Sequence, residues 1–240
     1  MSQNIGLKDL ELHTEGIASG MTIQDISNIS DQYGLELSAE QLKLLVHYGE
    51  LLKGWNDKVN LISRKDEENI LFKHILHSLL VAMPAVANYE IRQHSKVLDL
   101  GTGGGLPGIP VKIARPDLSI TLCDSIGKKI AACQDMISQL GLKNIEAIVS
   151  RTEELPKQAE YKAAFDVIIS RAVAPLDDLA KWLKDLVKPG ATLLTLKGGD
   201  LSEEIKRAER LKYVKAIENR LIALEGFREE EKRIVRLDFI

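Results

Sequence analysis

The sequence predicts a doubly wound α/β fold, a mainly parallel sheet with helices on both faces, preceded by a small N-terminal helical appendage. Three observations predict it. From Lys96 onward short β-rich runs alternate with helical stretches, an apolar run at Val97 to Leu100 leads straight into a glycine-dense loop, and two amphipathic patterns stand before both. A chain of 240 residues with 45% apolar residues can bury a full core, which excludes wholesale disorder.

Residues 1 to about 25 carry Gly6, Gly16 and Gly20 without sustained periodicity and read as a poorly ordered acidic extension. No chemistry is assigned to them. Residues 26 to 90 form the helical appendage, and 91 to 240 the α/β domain. Ser38 with Gln41 makes a capping box, and Leu42, Leu45, Val46, Gly49 and Leu52 recur at helical spacing, so a helix runs to about Trp55. A second helix is expected over Ile70 to Ala82, with Ile70, Leu71, Ile75, Leu79 and Ala82 on one face, stopped before Pro84. The polar loop between them holds Lys58, Arg64 and Lys65, which spacing alone reads as ordinary solvated surface.

Strands are expected at Val97 to Leu100, Ile120 to Cys123, Ile145 to Val149, Phe165 to Ile169 and Thr192 to Leu196. Helices over Lys128 to Leu140 and Leu176 to Leu186 separate them, Pro189-Gly190 marks a turn, and segments around Leu221 to Leu224 and Arg233 to Phe239 supply an antiparallel closing pair.

The net charge is −3, but residues 1 to 40 hold one lysine and seven acids, leaving the remainder at +3. A mildly basic body permits a nucleic-acid partner without requiring one. Cys123 and Cys133 fall in a strand and a helix and read as reduced packing residues. No apolar run approaches the ~20 residues that span a bilayer, and the first residues lack a signal-peptide pattern. A cytoplasmic protein with no membrane partner is expected.

The sharpest local signal is Val97 to Gly108, strand then Gly101-Thr-Gly103-Gly-Gly105-Leu106 then helix. Glycines let backbone approach a ligand closely at a strand's carboxyl end. The order Gly-x-Gly-x-Gly differs from the dinucleotide pattern, although Gly103 and Gly108 keep a poorer match to that pattern. Asp99, two residues before the first glycine, suits the cationic amino-acid end of S-adenosylmethionine and would repel a diphosphate. Asp124 closes the next strand at the distance expected of a ribose-binding carboxylate. Capping roles for both acids are the structural alternatives. Arg151-Thr152-Glu153-Glu154 after the third strand reads equally as an adenine-flanking turn or as a charged surface turn.

Gly101-Thr-Gly-Gly-Gly-Leu-Pro-Gly-Ile-Pro110, Asp124-Ser-Ile-Gly-Lys-Lys129, Ser150-Arg-Thr-Glu-Glu154, Ser170-Arg-Ala172 and Leu196-Lys-Gly198 occur in one order. Trp55-Asn56, Asn60-Leu61, Arg64 and His74-Ile75-Leu76 stand upstream. From about residue 30 to the end the chain resembles the bacterial ribosomal RNA small subunit methyltransferase G family, also called glucose-inhibited division protein B. The resemblance implies a class I S-adenosylmethionine-dependent methyltransferase fold and methyl transfer to N7 of a guanine in 16S ribosomal RNA, free or in the small ribosomal subunit. It implies cofactor contacts from Gly101, Leu106, Thr152, Glu153 and Arg171, to which the loop residues Asp99, Gly103 and Gly105 and the ribose candidate Asp124 are added. His77 stands where the family commonly has Asp, and Leu106 where it often has an aromatic residue.

Guanine N7 carries an in-plane lone pair and needs no base. In keeping with that, Ile169-Ser170-Arg171-Ala172 lacks the Asn/Asp-Pro-Pro-aromatic run of exocyclic-amine methylases, and no cysteine stands where a pyrimidine methylase needs its nucleophile. Arg171 is the expected catalytic residue, acting by alignment. Arg64, Lys65, Lys128, Lys129 and Lys197 are expected along an RNA path. His74 and His77, three apart on a helix, lack an apparent third ligand, so no metal is expected. A monomer is expected. A nicotinamide-dependent oxidoreductase and a non-catalytic RNA-binding assembly factor on the same fold are the competing classes.

Overall fold

The structure, a computed structural model, describes residues 20–240. Of the extension expected over residues 1 to about 25, residues 1–19 lie outside the described ones. Helix α1 (Ile23–Gln32) begins at Thr22, whose hydroxyl accepts from Asp25 N while the Asp25 carboxylate accepts from Thr22 N at 2.8 Å. The boundary expected near residue 25 therefore falls inside the first turn of a helix. Helix α2 (Ala39–Asn56) has the expected Ser38/Gln41 box, and Gln41 Nε2 also reaches the carbonyls of Ile113 and Ala114 at 2.9 and 2.8 Å. One side chain thus caps the start of α2 and the end of α5 (Gly108–Ala114).

The helical stretch expected over Ile70 to Ala82 has three pitches. Leu71–Leu76 is π-helical, α3 (His77–Leu79) is α-helical and Leu80–Ala82 is a 3-10 turn. A widened turn of this kind is common beside functional sites. The preceding polar loop closes with a 3-10 turn at Arg64–Asn69, and α4 (Pro84–Ala87) leads to the sheet.

Seven strands form one sheet in the order β3-β2-β1-β4-β5-β7-β6. They are β1 (Lys96–Leu100), β2 (Ser119–Asp124), β3 (Ile145–Val149), β4 (Phe165–Arg171), β5 (Val187–Gly198), β6 (Val214–Leu221) and β7 (Lys232–Phe239). The first five are parallel, and β7 runs antiparallel between β5 and β6. The closing pair is present, but β6 lies upstream of the expected Leu221 to Leu224. Its sequence, Val-Lys-Ala-Ile-Glu-Asn-Arg-Leu, is that of an edge strand, where charge discourages pairing with other chains. Pro189 and Gly190 sit in an irregularity of β5 where the register to β4 shifts from Phe165/Val187 to Val167/Thr192.

Two cores flank the sheet. Val97, Ile120, Leu122, Val167 and Ile169 face α1, α2, α5 and α6 (Gly127–Gln139), so the N-terminal helices share a core with the α/β part. Leu98, Leu100, Cys123 and Ile168 face α7 (Leu176–Leu183) and α8 (Ser202–Glu209). Chain order reverses between β1 and β4, which opens a crevice beyond their carboxyl ends.

Candidate active site

The glycine loop is held in place by what lies behind it. Gly101, Gly103 and Gly105 have φ of +67°, +56° and +93°, a region L side chains rarely adopt. A Cβ on Gly105 would collide with Ile109, and one on Gly104 would press on Leu52 and Leu61 of the N-terminal segment. Tyr48, fully buried on α2, donates to Gly104 O at 2.9 Å. Asp99 stands beneath the loop, fully buried, with Oδ2 accepting from the Thr102 hydroxyl and from Gly108 N at 2.8 Å. Its Oδ1 is buried without a hydrogen-bond partner, and burial raises the carboxyl to about 7.

A cleft of about 380 Å³ opens at the switch point, lined by Gly101, Asp124, Thr152, Glu153 and Arg171 among others. It brings together five of the expected cofactor residues. Asp124 links the strand end to the loop, its Oδ2 accepting from Gly103 N at 3.0 Å and its Oδ1 from Ile126 N at 2.9 Å. Two apolar side chains that a core would normally claim are left exposed near it, Ile126 at 46% and Val149 at 58%. Each adjoins a residue of the cleft lining, Ile126 next to Ser125 and Val149 next to Ser150.

Asp99, Gly105 and Leu106 are not in the cleft lining. Asp99 acts on the loop from behind, and Leu106 is 3% exposed within the core shared with α5. In this arrangement the three residues support the loop from behind. Gly103 reaches the cleft only through its N–H on Asp124.

Arg171 ends β4, half-buried, and Ala172 after it has φ +51°, strained for an alanine and placed at the cleft wall. Arg171 Nη1 is 3.0 Å from His74 Nδ1 and 3.3 Å from Lys73 O. Burial, then the charges of Arg171 and Lys73, push His74 down to about 3. His77 is also held well below its ordinary value by burial and stacks on Phe227 at 5.0 Å. Neither histidine belongs to a metal-binding group, and among the described residues no cluster of three or more His, Cys, Asp or Glu could hold an ion. Sequence spacing marked His74 only as one of a helical pair. Its contact with Arg171 spans 97 positions and has no local signal.

Of the five residues expected along an RNA path, Arg64, Lys65 and Lys128 are exposed and Lys129 is half-buried. Lys197 is a correction. It is 9% exposed, paired to Glu204 at 3.0 Å and donating to Ala174 O at 2.7 Å, so its charge is spent inside the fold. Trp55 and Asn56 are also structural. Trp55 Nε1 donates to Asp135 at 2.7 Å, and Asn56 Oδ1 accepts from the backbones of Leu61 and Ile62. No helix among the described residues is long and apolar enough to cross a membrane.

The family model described as rRNA small subunit methyltransferase G matches residues 41–234. Proteins named ribosomal RNA small subunit methyltransferase G are similar over most of the chain. The Chlorobium luteolum protein is 49% identical over 78% of this chain and 75% of its own length. The Psychromonas ingrahamii protein is 38% identical over 86% of this chain and 95% of its own. Among solved structures, TrmN from Thermus thermophilus superposes with a TM-score of 0.54 at 18% identity, covering 69% of this chain and 48% of that one. An O-methyltransferase-like protein from Klebsiella pneumoniae gives 0.56 at 9% identity, covering 89% and 96%. These structures bear on the fold, which is that of the class I S-adenosylmethionine-dependent methyltransferases.

Proposed function

Because this chain belongs to the rRNA small subunit methyltransferase G family, we propose that it methylates N7 of one guanine in 16S ribosomal RNA, with S-adenosylmethionine as methyl donor. The substrate is the RNA or the small ribosomal subunit that contains it, and the enzyme works as a cytoplasmic monomer.

The observation that carries this reading is the chemistry of the cleft wall beside Arg171. Ala172 and Val173 follow it there, and neither takes a proton. His74 is too weak a base, and the Cys123 thiol, pushed up to about 12 by burial, is no nucleophile. Such a wall suits an acceptor that needs only alignment, and guanine N7 is one. Asp124 would take the ribose hydroxyls, Ile126 and Val149 the adenine faces, and the glycine loop the amino-acid end. Bound there, S-adenosylmethionine supplies a methyl on a cationic sulfur, electrophilic enough for a neutral ring nitrogen. Arg171 would orient an oxygen acceptor on the reactants through the N–H groups it turns toward the cleft.

A dinucleotide fits poorly. Its diphosphate would need the amides at the start of α5, and Gly108 N is already taken by the Asp99 carboxylate. Arg64, Lys65, Lys128 and Lys129 are proposed to meet RNA phosphates. The decisive experiment is mass spectrometry of small-subunit RNA nucleosides from cells lacking the gene and from the same cells with it restored. Loss and return of one 7-methylguanosine is expected. An unchanged level would favour the assembly-factor reading.

A further inference from the structure

An arginine at the end of a sheet usually finds a carboxylate, but Arg171 has no ion-pair partner within 4.0 Å among the described residues. Its named contacts are neutral, Lys73 O at 3.3 Å and His74 Nδ1 at 3.0 Å, both on the π-helical turn Leu71–Leu76. None of its nitrogens is a buried atom without a partner, and the side chain lines the cleft. One edge of the guanidinium is therefore occupied by the N-terminal helical segment, and the other donors face where reactants would bind.

We propose that His74 is a positioning residue of this site, its Nδ1 lone pair fixing the plane of the Arg171 guanidinium. The proposal rests on the methyltransfer reading only in that Arg171 touches the reactants. Donor chemistry sets the tautomer. A guanidinium can only donate, so Nδ1 must carry the lone pair and Nε2 the proton. The charged groups around the ring act in the same sense. Arg171 and Lys73 disfavour a second proton, His77 on the following turn is itself held neutral, and the Asp66 carboxylate lies 3.8 Å from Nε2, whose N–H is buried without a hydrogen-bond partner. The imidazole is thus neutral near pH 7 and keeps its Nδ1 lone pair for Arg171. A neutral clamp also leaves the arginine's charge unspent, which a carboxylate partner would not. The widened turn supplies both acceptors from consecutive residues, the Lys73 carbonyl and the His74 ring.

The test compares His74→Asn, His74→Gln and His74→Leu in single-turnover methyl transfer to small-subunit RNA, each with its affinity for S-adenosylhomocysteine. Asn places an oxygen where Nδ1 stands; Gln matches the ring better in bulk but puts its oxygen near Nε2. The expected order of rates is Asn above Gln, with Leu down about tenfold to a hundredfold, the scale for a misplaced aligning group. Gln equal to or above Asn, the order that packing alone would give, overturns the proposal. In an Arg171→Ala background His74→Leu is expected to change the rate less than about twofold, since coupled residues are not additive. A full independent loss there would refute the coupling. Nitrogen-15 spectra of the histidines read the tautomer without any activity. A neutral ring protonated on Nε2, with an Nδ1 resonance that moves in Arg171→Ala, is expected, and a ring protonated on Nδ1 overturns the clamp. Wild-type protein that transfers no methyl to RNA would sink the proposed function while leaving this spectroscopic test in force.

Discussion

Asp99 is buried beneath the loop that the cleft depends on, and its carboxyl is raised from 3.8 to about 7, chiefly by loss of solvation. In the unfolded chain the group ionises near its ordinary value, so between about pH 4 and 7 the folded protein holds a proton that the unfolded chain has released. Stability therefore falls as pH rises through this window and levels off above it. At ~1.4 kcal/mol per unit, a shift of this size corresponds to about 4 kcal/mol. Asp99→Asn keeps the shape and an acceptor for Thr102 and Gly108 but cannot ionise. Urea unfolding of both proteins from pH 4 to 9 isolates the effect, because every other titrating group is common to them. The wild type is expected to lose about 4 kcal/mol relative to the variant between pH 4 and 8. Two parallel stability curves would refute the reasoning, since they would mean that the loop tolerates the buried charge without penalty.

Other consequences can be measured in the same way. Gly108→Ala would drive a methyl into Leu122 and, at 2.6 Å, into Asp99 Oδ2, and is expected to lose about 2 kcal/mol or more in denaturant unfolding. Gly103→Ala meets nothing within 4 Å and is expected to lose only the ~1 kcal/mol of a left-handed alanine. Lys197→Ala leaves the half-buried Glu204 with only the Leu176 N–H, so a stability loss of about 2 kcal/mol is expected, with the salt dependence of RNA binding unchanged. Lys128→Ala and Arg64→Ala are expected to do the reverse, each lowering the slope of log affinity against log salt by about 0.7 in a filter-binding titration on single-stranded RNA. The methyl-transfer rate should stay flat from about pH 8 to 9, above the value of about 7 to which burial raises Asp99. A steep rise there would reveal a general base titrating in that range and contradict transfer by alignment alone.

Sequence legibility followed the range of the interactions. The parallel strands and the glycine loop were readable because Val97 to Gly108 carries its own pattern of apolar strand, positive-φ loop and helix start. The Ser38/Gln41 box was readable for the same reason, whereas Gln41's second task, capping α5 some 72 positions away, was not. The closing pair is legible but β6 is displaced upstream of the expected Leu221 to Leu224, because charges interleaved with its apolar residues resemble a surface loop until a partner strand is known. Lys197 looked like an RNA ligand because its partner Glu204 belongs to another element, α8, which turns it inward. Asp99 stands out in the sequence by its position before the first glycine, but its bond to Gly108 N on α5 depends on the register of β1 between β2 and β4, which has no local signal.

The contacts of Gly104 with Leu52, Leu61 and Tyr48 set a limit on modular exchange. Because the loop rests on residues contributed by the N-terminal helices, the α/β half is not a portable catalytic cassette. A chimera that borrowed only residues from Lys96 onward would carry a loop shaped for a surface it had left behind. Positions 48, 52, 61 and 104 must be inherited as a set, so the N-terminal part can vary freely only at side chains facing away from that seam.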